Sequence, residues 1–121
     1  MKAVKITTDN KVIVINLDGN LSDGASEALG CAEIAFVRLR RTMDGTALAV
    51  DECGMLKGLP INRAASLMFG AQRHGSPIVG DVLVVGCDTC DTLDYEPLSN
   101  DEAESIECRL CHQFSFLKKE A

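Results

Sequence analysis

Four cysteines stand in two closely spaced pairs near the end of the chain. Cys87 and Cys90 are separated by two residues, as are Cys108 and Cys111, and seventeen residues lie between the pairs. This spacing is typical of four-thiolate zinc sites. Two such pairs complete a tetrahedral shell around Zn²⁺, which makes the site structural because no coordination position is left for a substrate. The pattern predicts one structural zinc ion held by these four residues; the alternative is four unliganded thiols.

Other residues that could do chemistry are few. His74 and His112 are the only histidines, and neither lies in a metalloprotease or nucleophile motif. His112 follows a predicted zinc ligand, so it is either a substitute ligand or a surface residue. A Cys–His pair such as Cys53 with His74 is the form that a thiol nucleophile and its base would take. Cys31 and Cys53 are solitary and have the pattern of ordinary core or turn cysteines. We therefore predict that the protein is not an enzyme.

Composition indicates a single domain with an aliphatic core. The chain has 121 residues, of which 46% are hydrophobic, and it contains no Trp. No apolar run approaches the ~20 residues of a membrane span, and the first residues lack the long apolar stretch of a signal peptide. We expect a cytoplasmic protein. In that reducing compartment, spaced cysteines indicate metal ligands or free thiols before disulfides.

The net charge of −6 comes entirely from the last third of the chain. Residues 1–86 carry nine acidic and nine basic side chains, whereas residues 87–121 carry nine acidic and three basic ones. Nucleic-acid binding depends on neutralising phosphates with Lys and Arg, so a nucleic-acid partner is not expected. The acidic excess is either a solvated surface or a face that docks on a basic partner. We divide the single domain into a core, 1–86, and an acidic, Cys-containing segment, 87–121.

Alternating and β-branched runs predict about five strands. Two of them form an opening hairpin around Asp9-Asn10, and Asp44-Gly45 supplies the tight turn between the third and the fourth. The last run is apolar at nearly every position except Gly80-Asp81, which is typical of a central strand with a bulge. The predicted strands cover residues 2–8, 12–17, 33–39, 47–50 and 78–85.

Helix signals occur in three places. A short helix capped by Ser22 should end at Gly30, and a second should start after Pro60 and end at Gly70. Ser99 and Glu102 form a capping box that begins a C-terminal helix. Its apolar face comprises Ala103, Ile106, Leu110, Phe114 and Leu117. The prediction is an α+β fold, a small and mainly antiparallel sheet with two or three helices on one face, the last tied down by the zinc site.

The segments Gly54–Ala64 and Ile78–Gly86 resemble a small family found in phages, plasmids and conjugative elements. Their sequences are GMLKGLPINRA and IVGDVLVVG. The family is catalogued as domain of unknown function (DUF) 3846, and the resemblance covers about residues 2–86. The start of the C-terminal helix is also similar, whereas the cysteine pairs are not a family feature. The resemblance implies an accessory protein of a mobile genetic element with a small mixed fold.

The function expected from this resemblance is stoichiometric binding. A counter-defence or host-interaction protein would occupy a host protein or sequester a small ligand, without catalysis. The alternative is a zinc-stabilised nucleic-acid or transcription adaptor. Two surfaces are candidates for contact: the turn formed by Leu59, Pro60, Asn62 and Arg63, and the acidic helix residues Glu102, Glu104 and Glu107. In the turn, the competing interpretation is structural: Asn62 bonds local backbone and Arg63 pairs with a carboxylate.

Overall fold

A mixed sheet of seven strands forms the centre of the molecule in the part of the chain that the computed structural model describes, residues 2–39, 45–70, 77–87 and 95–119. The strand order is β3-β4-β5-β1-β2-β7, and β6 pairs with β5. All pairs are antiparallel except β2 with β7. The strands are β1 (Lys2–Ile6), β2 (Lys11–Asn16), β3 (Ile34–Arg38), β4 (Thr46–Asp51), β5 (Val82–Cys87), β6 (Tyr95–Glu96) and β7 (Lys118–Lys119).

The helices are α1 (Leu21–Leu29), α2 (Arg63–Phe69) and α3 (Asn100–Gln113). As predicted, α1 and α2 end at glycines in the left-handed conformation, Gly30 at φ 64° and Gly70 at φ 77°. The capping box at the start of α3 is also confirmed. The cap of α1 is Asn20 instead of Ser22, because the Asn20 side chain accepts from the amide of Asp23. None of the described helices is long and apolar enough to cross a membrane.

The α+β class and the mainly antiparallel sheet are confirmed, but the helices cover both faces of the sheet. Alternate residues of β5 point to opposite sides. Val82 and Val84 belong to a core with α2 and α3, whereas Leu83 and Val85 belong to a core with α1. The expectation that all helices lie on one face was therefore wrong. The unbroken apolar run of β5 was the sequence signal for helices on both faces, because a strand buried on both faces shows no alternation of apolar and polar residues.

Two further differences concern the strands. The fifth strand begins at Val82 and not at residue 78, because Gly80 takes φ 78° and interrupts the extended chain. Before it, Val79 forms only an isolated bridge with Ile61. The two added strands, β6 and β7, are two residues each, too short to give a periodic pattern. Asp44 of the predicted Asp44-Gly45 turn lies outside the described residues.

Candidate functional site

The loop of residues 54–61, called the motif loop below, exposes large apolar side chains. Leu56 is 91% exposed, Met55 66% and Ile61 59%, and Leu67 on the adjoining helix α2 is 47% exposed. These four are the large hydrophobic residues exposed in the described part of the chain. Fully burying one such side chain contributes about 1.5–3 kcal/mol of stabilising free energy, which the folded chain by itself does not gain at these positions. Clustered apolar exposure in one chain segment is typical of a docking surface.

Backbone hydrogen bonds fold the motif loop onto itself. The amide of Lys57 donates to the carbonyl of Cys53 at 3.0 Å, that of Gly58 to Met55 at 3.2 Å, and that of Leu59 to Gly54 at 3.1 Å. The amide of Gly80 donates to the carbonyl of Pro60 at 2.8 Å, and this bond connects the end of the loop to the chain before β5. The exposed apolar side chains therefore project from an ordered backbone.

The carboxylate of half-buried Asp51 fixes the start of the motif loop. Asp51, at the end of β4, accepts from the amide of Cys53 at 2.9 Å and from the ammonium of Lys57 at 2.7 Å. The hydrogen bond from Lys57 lowers the pKa of Asp51, and the same bond raises the pKa of Lys57. Both groups are thus held in their charged forms at neutral pH.

Asn62 is fully buried and is part of the scaffold. Its amide group donates to the carbonyls of Ile6 and Gly80, each at 3.0 Å, and its side-chain oxygen accepts from the amide of Ala65 at 3.1 Å. One side chain thus caps α2 and joins it to β1 and to the chain before β5. Asn62 therefore does not contribute contacting atoms to the surface. The structural interpretation of this residue is confirmed.

Arg63 interacts with an aromatic ring instead of the expected carboxylate. Its guanidinium carbon lies 4.1 Å from the centroid of Phe116. No carboxylate of the described residues lies within salt-bridge distance of Arg63. The side chain remains exposed, so it is available at the edge of the apolar surface. The contact ties the first residue of α2 to the segment after α3.

The three acidic residues predicted to form one face of α3 have three different environments. Glu102 accepts from the amide of Ser99 and closes the capping box. Glu104 is exposed. Glu107 is only 6% exposed, and its carboxylate lies 3.3 Å from the ammonium of Lys119. The prediction of a continuous acidic docking face is therefore reduced to Glu104 and the first turn of the helix.

The described cysteines of the predicted zinc site do not converge. Cys87 belongs to the core on the α1 side of the sheet, whereas Cys111 packs against the core on the opposite side. Cys108 is exposed on the same helix as Cys111, and Cys90 lies outside the described residues. Among the residues with described positions, no three His, Cys, Asp or Glu side chains form a metal-holding group. The four-thiolate site stays a prediction.

Two of the described thiols, those of Cys31 and Cys111, have raised pKa values. Burial is the main cause that raises the pKa of Cys31, followed by the charge of Asp51. Burial and then Glu107 raise the pKa of Cys111. A raised pKa lowers the thiolate fraction on which nucleophilic attack depends. His74, the predicted base for Cys53, lies outside the described residues.

Comparison with known proteins establishes the family. The model of the domain of unknown function DUF3846 matches residues 1–111, so the chain belongs to that family. A search of curated protein sequences gave no significant match. Among solved structures, the chain is similar to the small RNA methyltransferase HEN1, at 18% identity and a TM-score of 0.49. The similarity covers 92% of this chain and 16% of the methyltransferase.

Sequence reasoning identified the turn at Leu59–Arg63 but missed its most exposed neighbours. Met55, Leu56 and Leu67 were not among the predicted contact residues. A signal was present, because Met55 and Leu56 lie between Gly54 and Gly58 in a stretch with neither helical nor strand periodicity. Large apolar residues in such a stretch have no core-facing pattern to satisfy.

Proposed function

We propose that the protein is a non-enzymatic accessory protein of a phage or other mobile element, and that it acts by stoichiometric binding to a host protein. The observation that carries this proposal is the exposure of Met55, Leu56, Ile61 and Leu67 on and beside the motif loop. An apolar cluster of this kind gains free energy when a partner covers it. Counter-defence by occupying a host factor fits this mode of action.

The order of the motif loop supports a binding role. Association costs less free energy when the contacting side chains already sit on a fixed backbone. The hydrogen bonds of Asp51 and Asn62 at the two ends of the loop provide that order. Arg63 at the edge adds a cation beside the apolar side chains, and Arg is frequent among residues that dominate binding energy.

The test is a comparison of matched surface variants in capture from host lysate. Leu56→Ser with Ile61→Ser removes two exposed apolar side chains, and Glu27→Ser changes an exposed residue on α1, on the other face of the sheet. We expect one host protein to be retained by wild type and by Glu27→Ser, and lost by the double variant. The purified pair should then associate with 1:1 stoichiometry in calorimetry.

Two results would contradict the proposal. Equal capture by wild type and by the double variant would remove the motif loop from the contact surface. Turnover of many partner or ligand molecules by one protein molecule would show catalysis. Leu56 is almost fully solvated, whereas Ile61 is 59% exposed and forms a bridge with Val79, so the unfolding transition of the double variant is measured beside that of wild type. A transition equal to that of wild type assigns the loss of capture to the surface and not to unfolding.

A further inference from the structure

Cys108 and Cys111 line a groove between α3 and the edge of the sheet. The groove has a volume of ≈ 810 Å³, and Glu104 and Glu107 line it from the same helix. These four residues follow the spacing i, i+3, i+4, i+7, which places them along one stripe of the helix. Lys119 of β7 lies on the other side and neutralises Glu107 at 3.3 Å.

The helix sets the separation of the two thiols. Residues three apart on a helix have β-carbons about 5–6 Å apart. A disulfide needs β-carbons at about 3.5–4.5 Å, so a bond between Cys108 and Cys111 would distort α3. One metal ion with two bonds of about 2.3 Å bridges sulfurs up to about 4.6 Å apart, which side-chain rotation alone can reach. The spacing therefore suits a bridging ion better than a disulfide.

The ligand set indicates the class of ion. Thiolates prefer soft metals, and Cu(I) is the soft ion among the common cellular metals. Two thiolates supply the soft ligands that such an ion prefers. We propose that Cys108 and Cys111 together bind one soft monovalent metal ion of the Cu(I) class. Binding releases two thiol protons and transfers no electrons.

This site lies apart from the proposed docking surface, and it uses two of the four cysteines of the predicted zinc site without Cys87 and Cys90. Reduced, metal-free protein is titrated anaerobically with Cu(I) in competition with the chromophoric chelator bicinchoninate. C108S/C111S should bind one equivalent fewer than wild type, whereas C31S/C53S and C87S/C90S should retain that equivalent. Equal stoichiometry in C108S/C111S, or loss of the same equivalent in C87S/C90S, would overturn the proposal.

Single substitutions test whether both sulfurs are needed. C108S should weaken binding of this ion by about 100-fold or more, because the chelating second ligand is lost. A wild-type affinity in C108S would exclude bridging. Independently of any variant, Cu(I) should protect Cys108 and Cys111 of the wild-type protein from alkylation by iodoacetamide, measured by peptide mass spectrometry. Unchanged alkylation of both residues in the Cu(I)-loaded protein would also refute the site.

Discussion

Asn62 connects three segments, so Asn62→Ala should be strongly destabilising. The substitution removes the cap on the amide of Ala65, worth about 1 kcal/mol. It also removes the hydrogen bonds to the carbonyls of Ile6 and Gly80, worth about 1 kcal/mol each. We expect the free energy of unfolding to fall by about 3 kcal/mol, the sum of these contributions.

Urea unfolding followed by circular dichroism measures this loss, with the denaturant slope checked for constancy. Ser99→Ala is the matched control, because it removes an exposed cap that accepts from Glu102 and supports no other segment. We expect that control to cost about 1 kcal/mol. If Asn62→Ala costs no more than Ser99→Ala, the idea that one buried side chain joins α2, β1 and the chain before β5 is refuted.

Asn62→Asp provides a pH-dependent version of the same test. The carboxylate would keep the cap but face the carbonyls of Ile6 and Gly80 without a proton to donate. Burial beside these oxygens should raise the pKa of the new carboxyl in the folded state. A raised folded-state pKa contributes stability at low pH that is lost as pH rises. The deficit relative to wild type should therefore grow from acidic to neutral pH.

Three further outcomes are expected. Gly80→Ala should lower the melting temperature more than Gly30→Ala. Both glycines have positive φ, so both substitutions strain the backbone, but only at Gly80 would the new β-carbon also lie 2.8 Å from a side-chain carbon of Leu59. The pKa of Asp51 is lowered in the folded state by its bond to Lys57. The stability that this bond contributes is therefore fully present above the unfolded-state pKa and is lost as pH falls through the folded-state pKa. Acidification should therefore speed amide exchange of the motif loop, after correction for intrinsic rates, and Asp51→Asn should abolish that dependence. Metal analysis of unchelated protein should give about one zinc per chain if the four-thiolate site forms.

The strands were predictable wherever a run of β-branched residues was long enough. The hairpin of β1 and β2 and its turn at Asp9-Asn10 follow from local sequence, and Asn10 takes the positive φ of 65° that such a turn favours. The position of α1 was not predictable in this way. The helix packs on the sheet face that carries Leu83 and Val85 of β5 and buries these side chains from water. That face exists only once the strands have assembled into the sheet.

The candidate surface was predicted only in part. Pro60 and Asn62 mark the start of α2 in the sequence, and the cap confirms that signal. The lack of helical or strand periodicity around Leu56 was the signal for its exposure, whereas the elements that pack beside the loop had to come from the structure. The burial of Glu107 was not predicted from the sequence. Its position on α3 adjoins the apolar face, and its ion pair with Lys119 depends on the C-terminal strand β7, which is too short to predict.

The proposed docking surface and the segment after α3 meet where Arg63 contacts Phe116. Arg63 lies in the family-like motif, but the ring beneath it belongs to Phe116, beyond the matched residues 1–111. The segment carrying Phe116 is held in place because Leu117 is buried and the amide of Lys118 donates to the carbonyl of Asn10 at 2.9 Å. The direction of the Arg63 guanidinium is therefore set by residues outside the family region. Under the proposed function, the apolar part of the surface lies within the residues that the family model matches, whereas the ring that places its cation lies after them.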